Sequence, residues 1–125
     1  MIGLSKDQVI LLHNMIYERY GGDVGILNDN MLDSALQAPF QTFGGEELIP
    51  YIKEKIVRLA YGLIKNHAFK DGNKRIGALV LLMLLELNGY RIKATNAEFA
   101  DIIMGIAASE KNENDLLNWV EEHKG

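Results

Sequence analysis

The segment from Asn73 to Asn88 is the most apolar part of the chain, and any fold must bury it. Its continuous apolar run, Leu79 to Leu85, is far shorter than the roughly 20 residues that cross a bilayer. Gly89 stands directly after it, in the position where a glycine commonly ends a helix. The pattern predicts a buried central helix, with other helices packed around it and no membrane span.

Apolar residues at helical spacing predict five further helices. Capping-box patterns at Ser5 and Thr95 open the first and fifth, Asp29 is the expected cap of the second, and Pro50 is the expected start of the third. The predicted helices cover residues 6–20, 29 to before Pro39, 50 to about 66, 95 to near 109, and a last segment around Leu116–Val120 that follows a polar loop at 110–114. Residues 40–49 contain Gly44-Gly45 and no helical period, which predicts a flexible connector or a short β-hairpin.

Composition narrows the class of protein. The chain has 125 residues, of which 48% are apolar, so we expect one domain over residues 1–125. The predicted helices make this domain all-α. It has no cysteine and no signal-peptide pattern, which favours a cytoplasmic location and excludes thiolate chemistry. The formal net charge of −4 is not accompanied by a basic stripe, which argues against direct nucleic-acid binding. A protein partner or a small ligand is the expected target.

The turn between the third and fourth predicted helices carries the candidate chemistry. It reads His67-Ala68-Phe69-Lys70-Asp71-Gly72-Asn73-Lys74-Arg75. Gly72 permits a sharp turn that leaves the amides of Asn73, Lys74 and Arg75 unpaired at a helix start, where they favour a phosphate. The side chains of Lys74 and Arg75 strengthen that preference.

Two other groups in this turn complete a candidate catalytic set. Asp71 supplies a carboxylate of the kind that holds Mg²⁺ beside nucleotide phosphates. His67 is the group in the turn that can accept a proton near neutral pH, which makes it the candidate general base. Phe69 is interpreted as a core anchor for the turn.

Each of these residues also has a commonplace interpretation. A histidine at a helix end is usually a cap, a glycine before a helix is ordinary punctuation, and a Lys-Arg pair is usually solvated. The joint occurrence of all of them within one short turn favours a functional site. His13 and His123 have no motif around them and are given no chemical role, and the methionines and Trp119 are interpreted as core filling.

The turn resembles the signature of the Fic/Doc family in its Doc form, HxFx[DN][AG]NKR, at every specified position. The likeness extends to Arg19-Tyr20-Gly21-Gly22, to the run from Asn28 to Pro39, and to Asn88-Gly89-Tyr90, in the expected order. It implies a six-helix fold in which the turn and the following helix bind a nucleotide. It also implies that residues 40–46 form a flap that grips an extended segment of a target protein.

The resemblance implies a role for each signature residue. His67 would deprotonate a target hydroxyl, Asp71 would hold Mg²⁺, and Gly72, Asn73, Lys74 and Arg75 would cradle the phosphates of ATP. Doc-like proteins phosphorylate a threonine of elongation factor Tu and thereby stop translation, and an antitoxin folds a disordered tail onto them. The implied protein is therefore the toxin of a toxin-antitoxin module, an ATP-dependent phosphotransferase acting on a Thr or Ser hydroxyl of a translation factor.

Two alternatives stay open at this point. The more common Fic activity transfers AMP and has the motif HxFx[DE]GNGRxxR, from which this chain departs at Lys74 and Ala78. A non-catalytic regulatory module could keep the scaffold, although it would not need His67, Asp71 and Arg75 together.

Three further features bear on how closely the chain follows the family. Lys65 and Leu79 replace an arginine and an asparagine of a well-known member, and both changes bear on nucleotide contacts. Residues 109–114 loosely match a self-inhibition pattern. We discount that pattern because its glutamate would need an arginine at position 78, where this chain has Ala78.

Overall fold

A computed structural model describes all residues 1–125 and contains six α-helices with one short hairpin, the all-α fold that the sequence predicts. The helices are α1 (Lys6–Tyr20), α2 (Asp29–Gln37), α3 (Ile52–Lys65), α4 (Asn73–Leu87), α5 (Asn96–Ala107) and α6 (Glu113–Glu122), with a 3₁₀ turn at Ala38–Phe40. The strands β1 (Thr42–Phe43) and β2 (Glu46–Glu47) pair antiparallel. We call residues 67–72, between α3 and α4, the signature loop, and residues 41–48 the hairpin.

Helices α3 and α4 pack closely against each other at the centre of the molecule. A Cβ atom on Gly77 of α4 would lie 2.4 Å from a side-chain carbon of Ile64 and 3.1 Å from the carbonyl oxygen of Ala60, so the close approach requires glycine. α4 buries six residues, among them Leu81 and Leu84. The predicted central helix is confirmed, and all six helices contribute to one core of 23 buried apolar residues.

Side-chain caps fix where several helices begin. Ser5 and Thr95 form the predicted capping boxes of α1 and α5. The prediction of Asp29 as the cap of α2 is wrong: the side chain of Asn28 accepts from the amide of Met31, and Asp29 forms an ion pair with Lys6 at 2.8 Å.

Two other helix starts also differ from the prediction. α3 does not begin at Pro50, because Tyr51 is the N-cap and the amide of Lys55 makes the first helical hydrogen bond to its carbonyl. α6 begins inside the predicted polar loop, because Asn112 and Asp115 form a third capping box. Pro39 does not end the helical backbone. α2 ends at Gln37, and the 3₁₀ turn that follows it includes Pro39 and extends one residue further, to Phe40.

The large side chains of the core are mostly aliphatic. The interpretation of Trp119 as a core residue is confirmed, whereas that of the methionines is wrong, since Met83 is only partly buried and the other four are exposed. They lie on helix faces or chain ends that no other element covers. None of the helices combines the length and the apolarity needed to cross a membrane.

His123, directly after α6, fastens that helix to α5. Its Nδ1 donates to the carbonyl of Trp119 at 2.7 Å, and its Nε2 lies 3.1 Å from a carboxylate oxygen of Glu98. These two contacts favour the protonated ring, so the carbonyl of Trp119 first, and then Glu98, raise the pKa of His123 above its ordinary value. Its ring also stacks on Trp119, with centroids 4.1 Å apart.

Candidate functional site

The signature loop is anchored to the core by Phe69, which is fully buried, as the sequence predicts. Phe69 pairs with Ile26 in an isolated β-bridge, and the carbonyl of Ala68 accepts from the amides of Leu27 and Asn28 at 2.8 and 3.1 Å. The segment between α1 and α2 therefore holds one side of the loop through backbone hydrogen bonds.

Asn73, the first residue of α4, closes the loop on itself. Its Oδ1 accepts from the amide of Phe69 at 3.1 Å, and its Nδ2 donates to the carbonyl of Phe69 at 3.0 Å. The side chain of Asn73 is therefore engaged within the protein, and its backbone amide is the group that remains available to a ligand.

Helix α1 supports the other side of the loop. The Nε2 atom of His13 lies 2.6 Å from the carbonyl oxygen of Asp71, and the imidazole stacks in parallel on Phe69 with centroids 3.9 Å apart. A Cβ on Gly72, which has a φ of +76°, would lie 3.3 Å from that same nitrogen. A Cβ on Gly22, which has a φ of +96°, would lie only 2.4 Å from Oδ2 of Asp71, so a side chain there would displace that carboxylate.

The start of α4 has the geometry that the sequence predicts for an anion-binding nest. The amides of Asn73, Lys74 and Arg75 have no acceptor within the protein, and the first helical hydrogen bond of α4 is that from Ile76 to Gly72. Unpaired amides at the positive end of a helix favour a phosphate or a carboxylate.

The two cationic side chains beside this nest have no acidic partner. Lys74 and Arg75 are exposed and take part in no ion pair, and the guanidinium of Arg75 lies 4.3 Å from the ring centre of Tyr20 at the end of α1. The positive charge of both side chains is therefore available to an anionic ligand.

All six predicted site residues, His67 and Asp71 to Arg75, line one cleft of about 910 Å³. The opposite wall comes from α5, and it includes Phe99, Ile103 and Met104. This volume and its mixture of apolar and cationic walls suit a nucleotide-sized ligand. Neither Lys65 nor Leu79 lines the cleft: Lys65 donates to the hydroxyl of Ser109, and Leu79 packs against the core.

His67 is exposed at the entrance to the signature loop and has a φ of +49°. A non-glycine residue in this left-handed region carries backbone strain, and such residues cluster at functional sites. The side chain of His67 lines the cleft.

The carboxylate of Asp71 is free to bind a cation. Its Oδ1 accepts from the amide of Gly72 at 2.8 Å, and no lysine or arginine pairs with it. No cluster of three or more histidine or acidic side chains forms in the structure. A lone carboxylate fits Mg²⁺, which is commonly held by one or two carboxylates together with phosphates and waters.

The hairpin lies at the place predicted for the flap, and its strands have two residues each. Gly44 and Gly45 both have positive φ, as a two-residue type I′ turn requires. Every residue from Gln41 to Leu48 is exposed, and Phe43 is 81% exposed.

One buried lysine ties the hairpin to the core. The Nζ atom of Lys55 in α3 contacts the carbonyls of Pro39 and Ile49 and forms an ion pair with Glu47 at 3.0 Å. Because Pro39 precedes the hairpin and Ile49 follows it, this single ammonium group joins both of its ends.

The glutamate of the discounted self-inhibition pattern makes its ion pair outside the cleft. Glu113 lies in the first turn of α6 and forms an ion pair with Arg58 at 2.8 Å, away from the residues that line the cleft. Its position agrees with the interpretation that this segment does not block the site.

Sequence reasoning missed four residues that shape the site: His13, Tyr20, Gly22 and Lys55. His13 was discounted for want of a motif, and its contact with Asp71 joins residues 58 positions apart. The Arg19-Tyr20-Gly21-Gly22 string was noted as a family likeness, but nothing in it indicates which signature residues it contacts. The contacts of His13, Tyr20 and Gly22 depend on how α1 packs against α4, and those of Lys55 depend on how α3 packs against the hairpin.

Comparisons with known proteins agree with this arrangement. The family model described as the Fic/DOC family matches residues 3–85. The chain belongs to the Fic/Doc family, and within it to the Doc branch.

Two curated relatives carry names from this branch. "Toxin Doc" of Mycolicibacterium smegmatis is 32% identical over 99 residues, which cover 78% of this chain and 76% of that protein. "Protein kinase doc" of Escherichia phage P1 is 26% identical over 107 residues, which cover 86% of this chain and 83% of the phage protein.

Proposed function

We propose that this chain is a Doc-type toxin that transfers the γ-phosphate of ATP to a Thr or Ser hydroxyl of a translation factor, with elongation factor Tu as the first candidate. The observation that carries the proposal is the nest at the start of α4, where three unpaired amides and two unpaired cations lie beside His67 and Asp71. The names of the two relatives, a toxin and a protein kinase, support the same function.

Each step of the proposed transfer is assigned to a residue of the cleft. His67 accepts the proton of the target hydroxyl, whose oxygen forms a bond to the γ-phosphorus. The bond between the γ-phosphorus and the oxygen that bridges it to the β-phosphate breaks, and ADP leaves with the electron pair. The amides of the nest and the side chain of Arg75 stabilise the negative charge that spreads over the transferring group.

Asp71 would hold Mg²⁺ together with the phosphates of the nucleotide. The ion would neutralise phosphate charge and favour departure of the leaving group. The hydrogen bond from the amide of Gly72 keeps the carboxylate of Asp71 at the edge of the nest, where such an ion is needed.

Lys74 favours phosphate transfer over AMP transfer. The AMP-transferring Fic motif has a glycine at this place, and a glycine lets a phosphate chain lie directly on the backbone. A lysine adds bulk and a point charge, so one terminal phosphate fits the nest while the rest of the nucleotide extends outward. Ala78 further weakens the AMP alternative, because the second arginine of that motif is missing.

The toxin role brings two further expectations. An antitoxin with a disordered tail is the expected partner, and the cytoplasm is the expected place of action. Both follow from the Doc resemblance and from the name "Toxin Doc" of one relative.

The decisive experiment supplies the purified protein and purified elongation factor Tu with ATP labelled in either the α- or the γ-phosphate. We expect γ label on the target, no α label, and no transfer in EDTA. His67→Ala is the control and should reduce the rate by roughly 10²- to 10⁴-fold, as loss of a general base does.

Other results would change the assignment. Label arriving from the α-phosphate would replace the proposal by AMP transfer. Label that appears on another protein of a bacterial lysate would keep the reaction and change the target. If neither label moves in the lysate, the non-catalytic module becomes the better description.

A further inference from the structure

Only two polar or charged side chains of the chain are buried, and His13 is one of them. It is 2% exposed, and its ring lies between α1 and the signature loop. The proposed transfer does not use it, because His67 is the base and His13 does not line the cleft. A buried polar group is normally kept for the hydrogen bond that it makes, which here is the bond to the carbonyl of Asp71.

That bond lies between two parts of the site, the carboxylate of Asp71 and the amides at the start of α4. The carbonyl of Asp71 and the amide of Gly72 belong to one planar peptide unit, so holding the carbonyl also fixes the direction of the amide. The amide of Gly72 in turn donates to Oδ1 of Asp71 at 2.8 Å. Gly72, with its left-handed backbone, is the N-cap of α4 and sets the direction of the amides that follow.

We propose that His13 is a positioning residue for the phosphate nest: through the carbonyl of Asp71 it fixes both the Asp71 carboxylate and the amides of Asn73, Lys74 and Arg75. The inference rests on the proposed function, since it assumes that the nest binds phosphate. It assigns the role to the N–H of His13, whereas a purely structural histidine would act through the stacking of its ring on Phe69.

Two substitutions separate the donor from the ring. His13→Phe keeps an aromatic ring against Phe69 and removes the hydrogen-bond donor. His13→Gln removes the ring and keeps an N–H that can reach a similar position. A positioning role predicts that glutamine preserves the site better than phenylalanine, and a packing role predicts the reverse.

The test is titration of the ¹⁵N-labelled proteins with inorganic phosphate, following the backbone amide signals of residues 73, 74 and 75, with melting temperatures recorded alongside. Wild type should show saturable shifts at these amides. His13→Phe should weaken phosphate binding by roughly 10- to 100-fold, the loss that removal of an outer-shell partner causes at metal sites, while His13→Gln should stay close to wild type.

The outcomes distinguish this inference from the proposed function. Unchanged phosphate affinity in His13→Phe, or an equal loss in both variants, would overturn the role of His13 and leave the proposed function in place. Absence of shifts in wild type would overturn the nest and with it both proposals. Should His13→Phe fail to fold, wild-type affinity in His13→Gln supports the role of the N–H, and a weakened affinity overturns it.

Discussion

The signature loop and the hairpin lie on either side of α3 in the chain, and they are fastened to the core by different means. The loop is held by a buried aromatic ring and by several short hydrogen bonds to backbone groups, from His13, Asn73 and the segment before α2. The hairpin has no buried side chain between Gln41 and Leu48, and its main tie to the helices is the ammonium group of Lys55.

The difference matches what each region would have to do. Groups that stabilise a transferring phosphate must be preorganised, because misplacement by even 1 Å can cost about 10²-fold in rate. A segment that grips a protein target gains from exposed backbone and from small local stability, since it can adjust on contact. The loop therefore has the properties of a rigid catalytic element, and the hairpin those of an adaptable binding element.

The sharpest test of this difference compares one residue type in the two regions. Phe69 is 1% exposed and Phe43 is 81% exposed. Phe69→Ala should lower the free energy of unfolding by about 3–5 kcal/mol, because it leaves a cavity beneath the loop. Phe43→Ala should change it by less than about 0.5 kcal/mol, as surface substitutions do. Urea denaturation followed by circular dichroism measures both, and similar losses would show that the hairpin is as firmly packed as the loop.

A second test removes the tie of the hairpin. Lys55→Met leaves the carbonyls of Pro39 and Ile49 without their donor, which should cost about 1–3 kcal/mol of unfolding free energy. Amide hydrogen exchange should accelerate in the hairpin and stay unchanged in the signature loop.

Lys53→Met is the matched control for this second test. Lys53 lies on the same helix and pairs with Glu121 at the surface, where an ion pair is worth at most about 1 kcal/mol. Faster exchange in the hairpin of this control would show that Lys55 is not the specific tie.

A third test concerns the chemistry of the loop side. Lys74→Gly removes a charge beside the transferring group and should lower γ-phosphate transfer by about tenfold, equivalent to roughly 1.4 kcal/mol. Slow AMP transfer is expected to appear, although Ala78 keeps it incomplete. Lys70→Gly changes the same residue type outside the helix start and should have a smaller effect. Undiminished γ transfer in Lys74→Gly would mean that this lysine neither orients nor stabilises the nucleotide.

The smallest expected effect concerns His123, which lies in neither the signature loop nor the hairpin. Because the pKa of His123 is raised in the folded protein, its contacts stabilise the fold fully below the ordinary pKa of about 6.5. That contribution is lost as the pH rises through the raised pKa. Melting temperatures between pH 6 and 8 should therefore fall for wild type and change less for His123→Gln. Equal changes of melting temperature with pH in the two proteins would show that a group other than His123 is responsible.

Much of the fold follows from local sequence patterns. Ser5 and Thr95 mark their helices because a capping box needs only residues three positions apart. Gly89 and the apolar run before it locate the end of α4 for the same reason. Pro50 misled the prediction of α3, since proline also fits the residues just before a helix, and here Tyr51 is the cap. The methionines misled the prediction of the core, because apolar character alone does not tell which helix face is covered.

The residues of the site likewise fall into two groups, those that local sequence indicates and those that depend on distant contacts. The signature residues lie within one short turn, so their chemistry and order indicate a nest before any fold is known. His13 and Lys55 act across 58 and up to 16 positions of sequence, and their partners are backbone carbonyls, which carry no residue-type signal. Only the packing of α1 against α4, and of α3 beneath the hairpin, brings these groups together.

The lack of room for a side chain between Gly22 and the carboxylate of Asp71 has a consequence for genetics. Gly22 lies on the surface, at a φ of +96°, and any side chain there would displace that carboxylate. Under the proposed toxin function, cells that escape growth arrest should therefore carry lesions at codon 22 as well as within the signature. A survivor with an intact signature therefore need not have lost the gene product.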